Sequence, residues 1–221
     1  MLPAEVAEAF ARCGIGRGDL VMMHADALVL SQLQNLTPDQ RFVTFFEILD
    51  GLLGPDGTLV LPAYSYSFTN NEPYIVGESP SKVGALPEFF RKLSGVQRSR
   101  NPIMSVAARG RLAPVFAESS VTDCYGPGSC FELMDRHDGW LICLGCSIDR
   151  LTFTHYVEQS CGVSYRYFKS FAGTIVEGDR KYEADVRYFA RDLDRSTVID
   201  LSRLKQRLLD RGANYTDLSW H

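Results

Sequence analysis

At 221 residues the chain is long enough to bury a substantial core as one large α/β unit, so a single domain over residues 1–221 is expected. Its 45% hydrophobic and 23% charged content is ordinary for a water-soluble globular protein. A formal net charge of −4 argues against a nucleic-acid binder, which needs a basic footprint. No run reaches the ~18 apolar residues of a membrane-spanning helix. The acidic N-terminal stretch does not read as a signal peptide. A cytoplasmic location, with reduced thiols among the six cysteines, is therefore expected.

In chain order, residues 3–12 carry the pattern of a short amphipathic helix stopped by Gly14, and Asp19 to His24 reads as a strand. Thr37-Pro-Asp-Gln40 is a helix start, with Thr37 as N-cap, Pro38 at the first position and Gln40 closing a capping box. Phe42, Phe45, Phe46, Leu49, Leu52 and Leu53 supply its apolar face, and Gly54-Pro55 ends it. Thr58 to Leu61 is the next strand. Residues 63–82 have no period and are rich in Tyr, Ser, Asn and Pro, and a loop of that length is more often functional than idle.

Gly84 to Leu93 reads as helix and Met104 to Arg109 as extended chain. Ser129-Cys-Phe-Glu132 has the form of a second capping box and starts a helix through about Arg136. Trp140 to Leu144 is an apolar run that reads as a buried strand, followed by a helical segment from Thr152 to Gln159. Gly173–Glu177 and Lys181–Tyr188 flank Gly178-Asp-Arg as an antiparallel hairpin, and Asp200 to Leu209 is a closing helix stopped by Gly212. Strands alternating with helices, then a hairpin, give an α/β sandwich with a mixed sheet.

The chemistry-bearing segment is the last of these helices before the hairpin. Thr152, His155 and Glu158 are three apart, so on a helix they share one face just past the end of a strand. Open α/β sheets usually place ligands at that end. Cys143-Leu-Gly-Cys146 has C-x-x-C spacing, but no second cysteine pair stands at the spacing of a zinc ribbon, and no metal is expected.

Gly18-Asp-Leu-Val-Met-Met-His24, Gly57-Thr-Leu-Val-Leu-Pro62, Arg98-Ser-Arg-Asn-Pro-Ile-Met-Ser-Val-Ala-Ala-Arg-Gly110, Tyr125-Gly-Pro-Gly-Ser129 and the segment Leu144 to Glu158 follow one another in that order. Together, from roughly residue 14 to residue 175, they resemble the aminoglycoside 3-N-acetyltransferase family, which is distinct from the GNAT acetyltransferases. The resemblance implies a three-layer α/β/α sandwich with a mixed sheet, plus a C-terminal β-hairpin and helix. It implies transfer of an acetyl group from acetyl-CoA to a primary amine of an amino sugar, with no acyl-enzyme. Its partners would be a CoA thioester and a small amine-bearing sugar, with neither nucleic acid nor membrane, and with homodimer assembly open.

By that resemblance His155 is the general base, with Glu158 as its orienting carboxylate and Asp192 as the rival orienter. Thr152 would donate to the thioester oxygen or cap the His155 helix. His24 ends a strand whose following loop meets CoA, Arg98, Arg100 and Arg109 would take the CoA phosphates, and Ser105 would line the donor channel. Where the family reads His-Ser-Ser this chain has His24-Ala25-Asp26, and a carboxylate repels phosphate, so either the pyrophosphate sits elsewhere, or the donor differs, or Asp26 faces the amine acceptor, the reading favoured here. Tyr64, Tyr66, Asn70 and Glu72 complete the acceptor side, a mostly aromatic and amide surface that suits a sugar ring. A cysteine hydrolase using Cys161 or Cys146 with His155, and a non-catalytic sugar- or nucleotide-binding relative, are the alternatives.

Overall fold

The computed structural model describes residues 2–192 and 201–212. Helix α1 (Pro3–Arg12) leads into strand β1 (Leu20–Ala25), helix α2 (Pro38–Leu53) and strand β2 (Thr58–Pro62). The capping box that starts α2 is formed as its sequence demands. Thr37 Oγ1 accepts from the Gln40 amide at 3.3 Å, and Gln40 Oε1 accepts from the Thr37 amide at 2.9 Å. Gly54 ends the helix at φ +65°, a backbone geometry that favours glycine.

Crossing over through α2 returns β2 parallel to β1. Beyond the loop lie the two-residue strand β3 (Tyr74–Ile75), helix α3 (Ala85–Phe90), strand β4 (Gln97–Arg98), strand β5 (Val106–Gly110) and helix α4 (Ala113–Ala117). Helix α5 (Cys130–Arg136), strand β6 (Trp140–Leu144) and helix α6 (Phe153–Ser160) follow. Strands β7 (Arg166–Glu177) and β8 (Arg180–Arg191) precede helix α7 (Ser202–Asp210). The start of the expected closing helix, at Asp200, falls outside the described residues.

The main sheet has the order β4-β5-β2-β1-β6 and is mixed, with β1 parallel to β2 and β6 and β5 antiparallel to β2 and β4. Its strands alternate between two apolar cores. Val21, Met23, Leu59, Leu61 and Ala107 face α1, α2 and α3, where Phe45, Phe46 and Phe90 pack. Met22, Val60, Val106 and Ala108 face the other layer, built from α4, α5 and a second sheet. The α/β sandwich with a mixed sheet is thus the observed architecture.

Two expectations change. β6 is not buried: it is the outer strand of its sheet, its residues are partly exposed, and Trp140 retains 38% of its surface. An apolar run has no way of recording that one of its neighbours is missing. The expected hairpin is also far longer, pairing twelve residues on each side from Arg166↔Arg191 to Glu177↔Arg180 about the two-residue turn at Gly178 and Asp179.

The hairpin forms a second sheet by taking β3 from the 63–82 loop, parallel to β7, with Tyr74 opposite Ile175. That loop is not loose. The buried Arg98 guanidinium donates to the carbonyls of Ala63, Val76 and Ser79 and to the Ser105 hydroxyl, and it lies 5.3 Å from the Tyr74 ring centre. Tyr74 donates its own hydroxyl to Ser99 O at 2.7 Å. Replacing Arg98 by Met keeps the length but strands those carbonyls, and it should cost roughly 3 kcal/mol of stability. Urea unfolding of the two proteins measures this directly.

Candidate active site

The parallel pairing of β1 with β6 sets His24 opposite Cys143 and brings the carboxyl ends of both strands together. After β6 the chain turns at Gly145, at φ +66°, passes a 3-10 turn capped by Ser147, and enters α6. Thr152 occupies the N-cap position of α6, yet its side chain does not cap the helix. It turns instead to His24, with Oγ1 at 3.3 Å from Nε2, while the Thr152 amide donates to the same nitrogen at 3.4 Å.

That bond makes Nε2 an acceptor and places the His24 proton on Nδ1, a buried atom with no protein partner among the described residues. Burial pushes the His24 pKa down to about 4, so the ring is neutral at neutral pH.

One turn along, His155 Nδ1 is 2.8 Å from Glu158 Oε2. Glu158 is buried, accepts the Tyr165 hydroxyl at 2.9 Å and has Arg166 Nε at 2.8 Å. Burial alone would raise its pKa. The bonds from His155 and Tyr165 and the Arg166 charge outweigh that and hold the carboxyl below its ordinary range.

Arg166 also has a terminal nitrogen 3.0 Å from His155 Nδ1, a second donor facing the atom that faces the carboxylate. The two contacts demand opposite tautomers. The carboxylate contact is shorter and charge-assisted, whereas Arg166 has other acceptors, Phe189 O among them. Nδ1 therefore carries the proton, and Nε2 is left with the basic lone pair.

An aromatic wall backs these groups. Tyr125 packs edge-on against the His155 ring at 5.4 Å and against Tyr188 at 5.3 Å. Tyr64 and Tyr66 stand 6.1 Å apart. Burial keeps the Tyr64 and Tyr125 phenols protonated, and their hydroxyls neighbour those of Thr152 and Tyr188, respectively. Tyr66 adopts φ +54°, a left-handed backbone unusual for a bulky residue, and its pKa is pushed up to about 12 by burial.

Asp26 sits at the same mouth, its amide bonded to Leu144 O. Its exposed carboxylate accepts from the Leu28 amide at 2.9 Å and caps a short 3-10 turn. Asp192 lies one residue past β8, whose last residue Arg191 is in register with Arg166. Asn70 and Glu72 are exposed on the turn before β3, with no hydrogen bond to His155 or Thr152 among the described residues.

The three arginines do not form the phosphate cluster expected of them. Arg98 is buried and spent on backbone carbonyls. Arg100 pairs with Glu118 and Glu177. Arg109 faces the opposite side of the sheet, paired with Asp50 at 2.6 Å over the Phe90 ring. Ser105, expected to line a channel, is fully buried and donates to Ala63 O at 2.8 Å. The charge of an arginine is legible in a sequence, but its partner is not.

A crevice of about 500 Å³ beside Arg17, Asp50, Gly54 and Arg109 lies near the amino end of β2, across the sheet from His24. Tyr165, Arg166, Tyr125 and Tyr188 are the residues that sequence reasoning missed. Tyr125 was legible only as part of a turn, and the first half of β7 carries no apolar alternation. Around the turn, Asp123 accepts the Tyr125 and Gly126 amides and pairs with Arg187, which ties Tyr125 to the second sheet.

The family model described as aminoglycoside 3-N-acetyltransferase matches residues 22–218. The aminoglycoside N(3)-acetyltransferase IV of Salmonella sp. is 27% identical over 73% of this chain and 60% of its own length. The type VII protein of Streptomyces paromomycinus is 28% identical over 76% of this chain and 64% of its own. The chain thus spans less than two thirds of the length of these curated relatives. A solved structure described as AAC-IIIb binary with CoASH superposes with a TM-score of 0.79 at 23% identity, covering 96% of this chain and 85% of that one.

The neutral His24 makes a pH prediction. Its folded pKa lies below the unfolded value, so the unfolded chain binds the extra proton and stability is complete only above about pH 6.5. It should decline between about 6.5 and about 4, by up to roughly 3 kcal/mol from this residue. A His24→Gln variant, compared by denaturant unfolding across that window, should show a flatter profile.

Proposed function

Because this chain belongs to the aminoglycoside 3-N-acetyltransferase family, we propose that it transfers an acetyl group from acetyl-CoA to a primary amine of an amino sugar. The observation that carries this reading is the His155–Glu158 pair, one helical turn from a Thr152 whose hydroxyl is not used as a cap. An ammonium has no lone pair with which to attack a thioester, so a proton must first leave. His155 Nε2 takes it, while the Nδ1–H bond to an ionised Glu158 holds the ring and stabilises the imidazolium that forms.

The freed amine attacks the thioester carbon and the sulfur leaves as the CoA thiol. Negative charge that develops on the thioester oxygen is met when the Thr152 hydroxyl turns its one proton from His24 Nε2 to that oxygen, the Thr152 amide keeping its own bond to Nε2. The neutral His24 supports this: as an acceptor for the Thr152 amide it fixes the start of α6 without adding a second cation.

The acceptor lies against the partly exposed ring of Tyr66, which the buried Tyr64 and Tyr125 back from behind, with the Asp26 carboxylate nearby for a second ammonium. The names of the curated relatives make aminoglycosides the first class to try. The aromatic character of the wall adds nucleotide-linked amino sugars. Thiol release from acetyl-CoA across a panel of both classes tests the reading, and a folded protein that acetylates neither would refute it.

On an accepted substrate, His155→Ala should lower turnover at least about a hundredfold while CoA binding, measured separately by calorimetry, is kept. Turnover within a few-fold of the parent would place the base elsewhere.

A further inference from the structure

Cys143 and Cys146 have no part in the acyl transfer proposed above, yet both thiols are gathered on one residue of the site. Cys143 stands directly opposite His24 in the parallel pairing of β6 with β1. Cys146 returns to the same place after the bend at Gly145 and donates its thiol to His24 O at 3.5 Å. With both cysteines set beside His24 across the Gly145 bend, the C-x-x-C spacing brings the two thiols to neighbouring positions, the arrangement a disulfide requires. Both are half-buried rather than sealed, because β6 is the outer strand of the sheet. Cys124 and Cys130, by contrast, are buried in the core.

The pair is also asymmetric. The neighbouring Cys143 thiol, with a smaller effect of Arg150, holds the Cys146 thiol below its ordinary range against the opposing burial and Asp26 charge. The proximity of Cys146, with burial, pushes Cys143 up. A thiolate beside a thiol is the arrangement in which one sulfur attacks and the other resolves. Zinc is the other use of such spacing, but among the described residues no three His, Cys, Asp or Glu side chains gather to hold a metal.

We propose that Cys143 and Cys146 form a reversible thiol–disulfide site for low-molecular-weight disulfides, placed beside the His24–Thr152 contact. The Cys146 thiolate attacks one sulfur of the small disulfide, breaking its S–S bond and releasing one thiolate. Cys143, losing its proton, then attacks Cys146 Sγ, forms the Cys143–Cys146 bond and expels the second thiol. Two protein thiols are oxidised, one small disulfide is reduced to two thiols, and no further oxidant is required. This chemistry does not depend on the acyl-transfer reading.

The test uses oxidised glutathione as the probe and a Cys161→Ser background, since Cys161 is exposed. Intact mass should fall by two hydrogens, peptide mapping should find the 143–146 link, and dithiothreitol should reverse both. Adding Cys143→Ser should trap one glutathione on Cys146, whereas adding Cys146→Ser should leave Cys143 unmodified over the same time. Circular dichroism establishes that each variant is folded. Mapping that finds no 143–146 link in the background protein, or equal labelling of Cys146 and Cys143 in the two variants, would overturn the proposal. These readouts need no substrate, so failure of the acyl-transfer reading would leave them unaffected.

Discussion

The buried Arg98 guanidinium is the constraint on which the wall carrying Tyr64 and Tyr66 depends. A segment of twenty residues with almost no secondary structure of its own must leave β2 and return to α3 without burying unpaired carbonyls. Arg98 meets that need by donating to three carbonyls of the segment, at Ala63, Val76 and Ser79. The cation cannot shed its charge by deprotonating, so its burial is tolerable only while those acceptors stay in place. Loop and arginine therefore hold each other. The result is a fixed Tyr64 and Tyr66 on one side and a β3 ready to receive the hairpin on the other.

The site itself is a chain of side chains that links three parts of the fold. His24 comes from the main sheet, Thr152 and His155 from the segment after β6, and Arg166 and Tyr165 from the entry to β7. Each link also settles a charge state. Burial without a countercharge leaves His24 neutral, whereas burial among donors leaves Glu158 ionised. Two groups of opposite chemical sense, a neutral acceptor and a fixed anion, thus flank the two residues that face substrate in the proposed reaction. The buried hydroxyls of Tyr64 and Tyr125, beside those of Thr152 and Tyr188, add polar capacity to the same wall.

Local chemistry was legible in the sequence, and tertiary context was not. Thr37, Pro38 and Gln40 specify a helix start through bonds within four residues, and the structure forms every one. The Ser129 motif was half right: Ser129 caps α5, but Glu132 turns to the Gly128 amide instead of closing the box. The face shared by Thr152, His155 and Glu158 followed from helical spacing alone. In contrast, β3 and β4 are two residues long and exist only because β7 and β5 offer them an edge. The first half of β7 was invisible because Tyr167, Phe168, Lys169 and Ser170 are exposed and follow no burial pattern. Charge misled most at Arg98, Arg100 and Arg109, whose carbonyl and carboxylate partners come from segments 18 to 77 residues away.

Tyr66 shows where this molecule has room to become more robust. A non-glycine residue held at φ +54° carries strain on the order of 1–3 kcal/mol, which its surroundings must sustain. Gly or Asn at that position would relax the backbone, but it would remove a phenol from the aromatic wall. Selection for heat resistance alone would therefore be drawn to this position, and selection for acceptor recognition would resist it. Laboratory lineages evolved under the two regimes should part company here first.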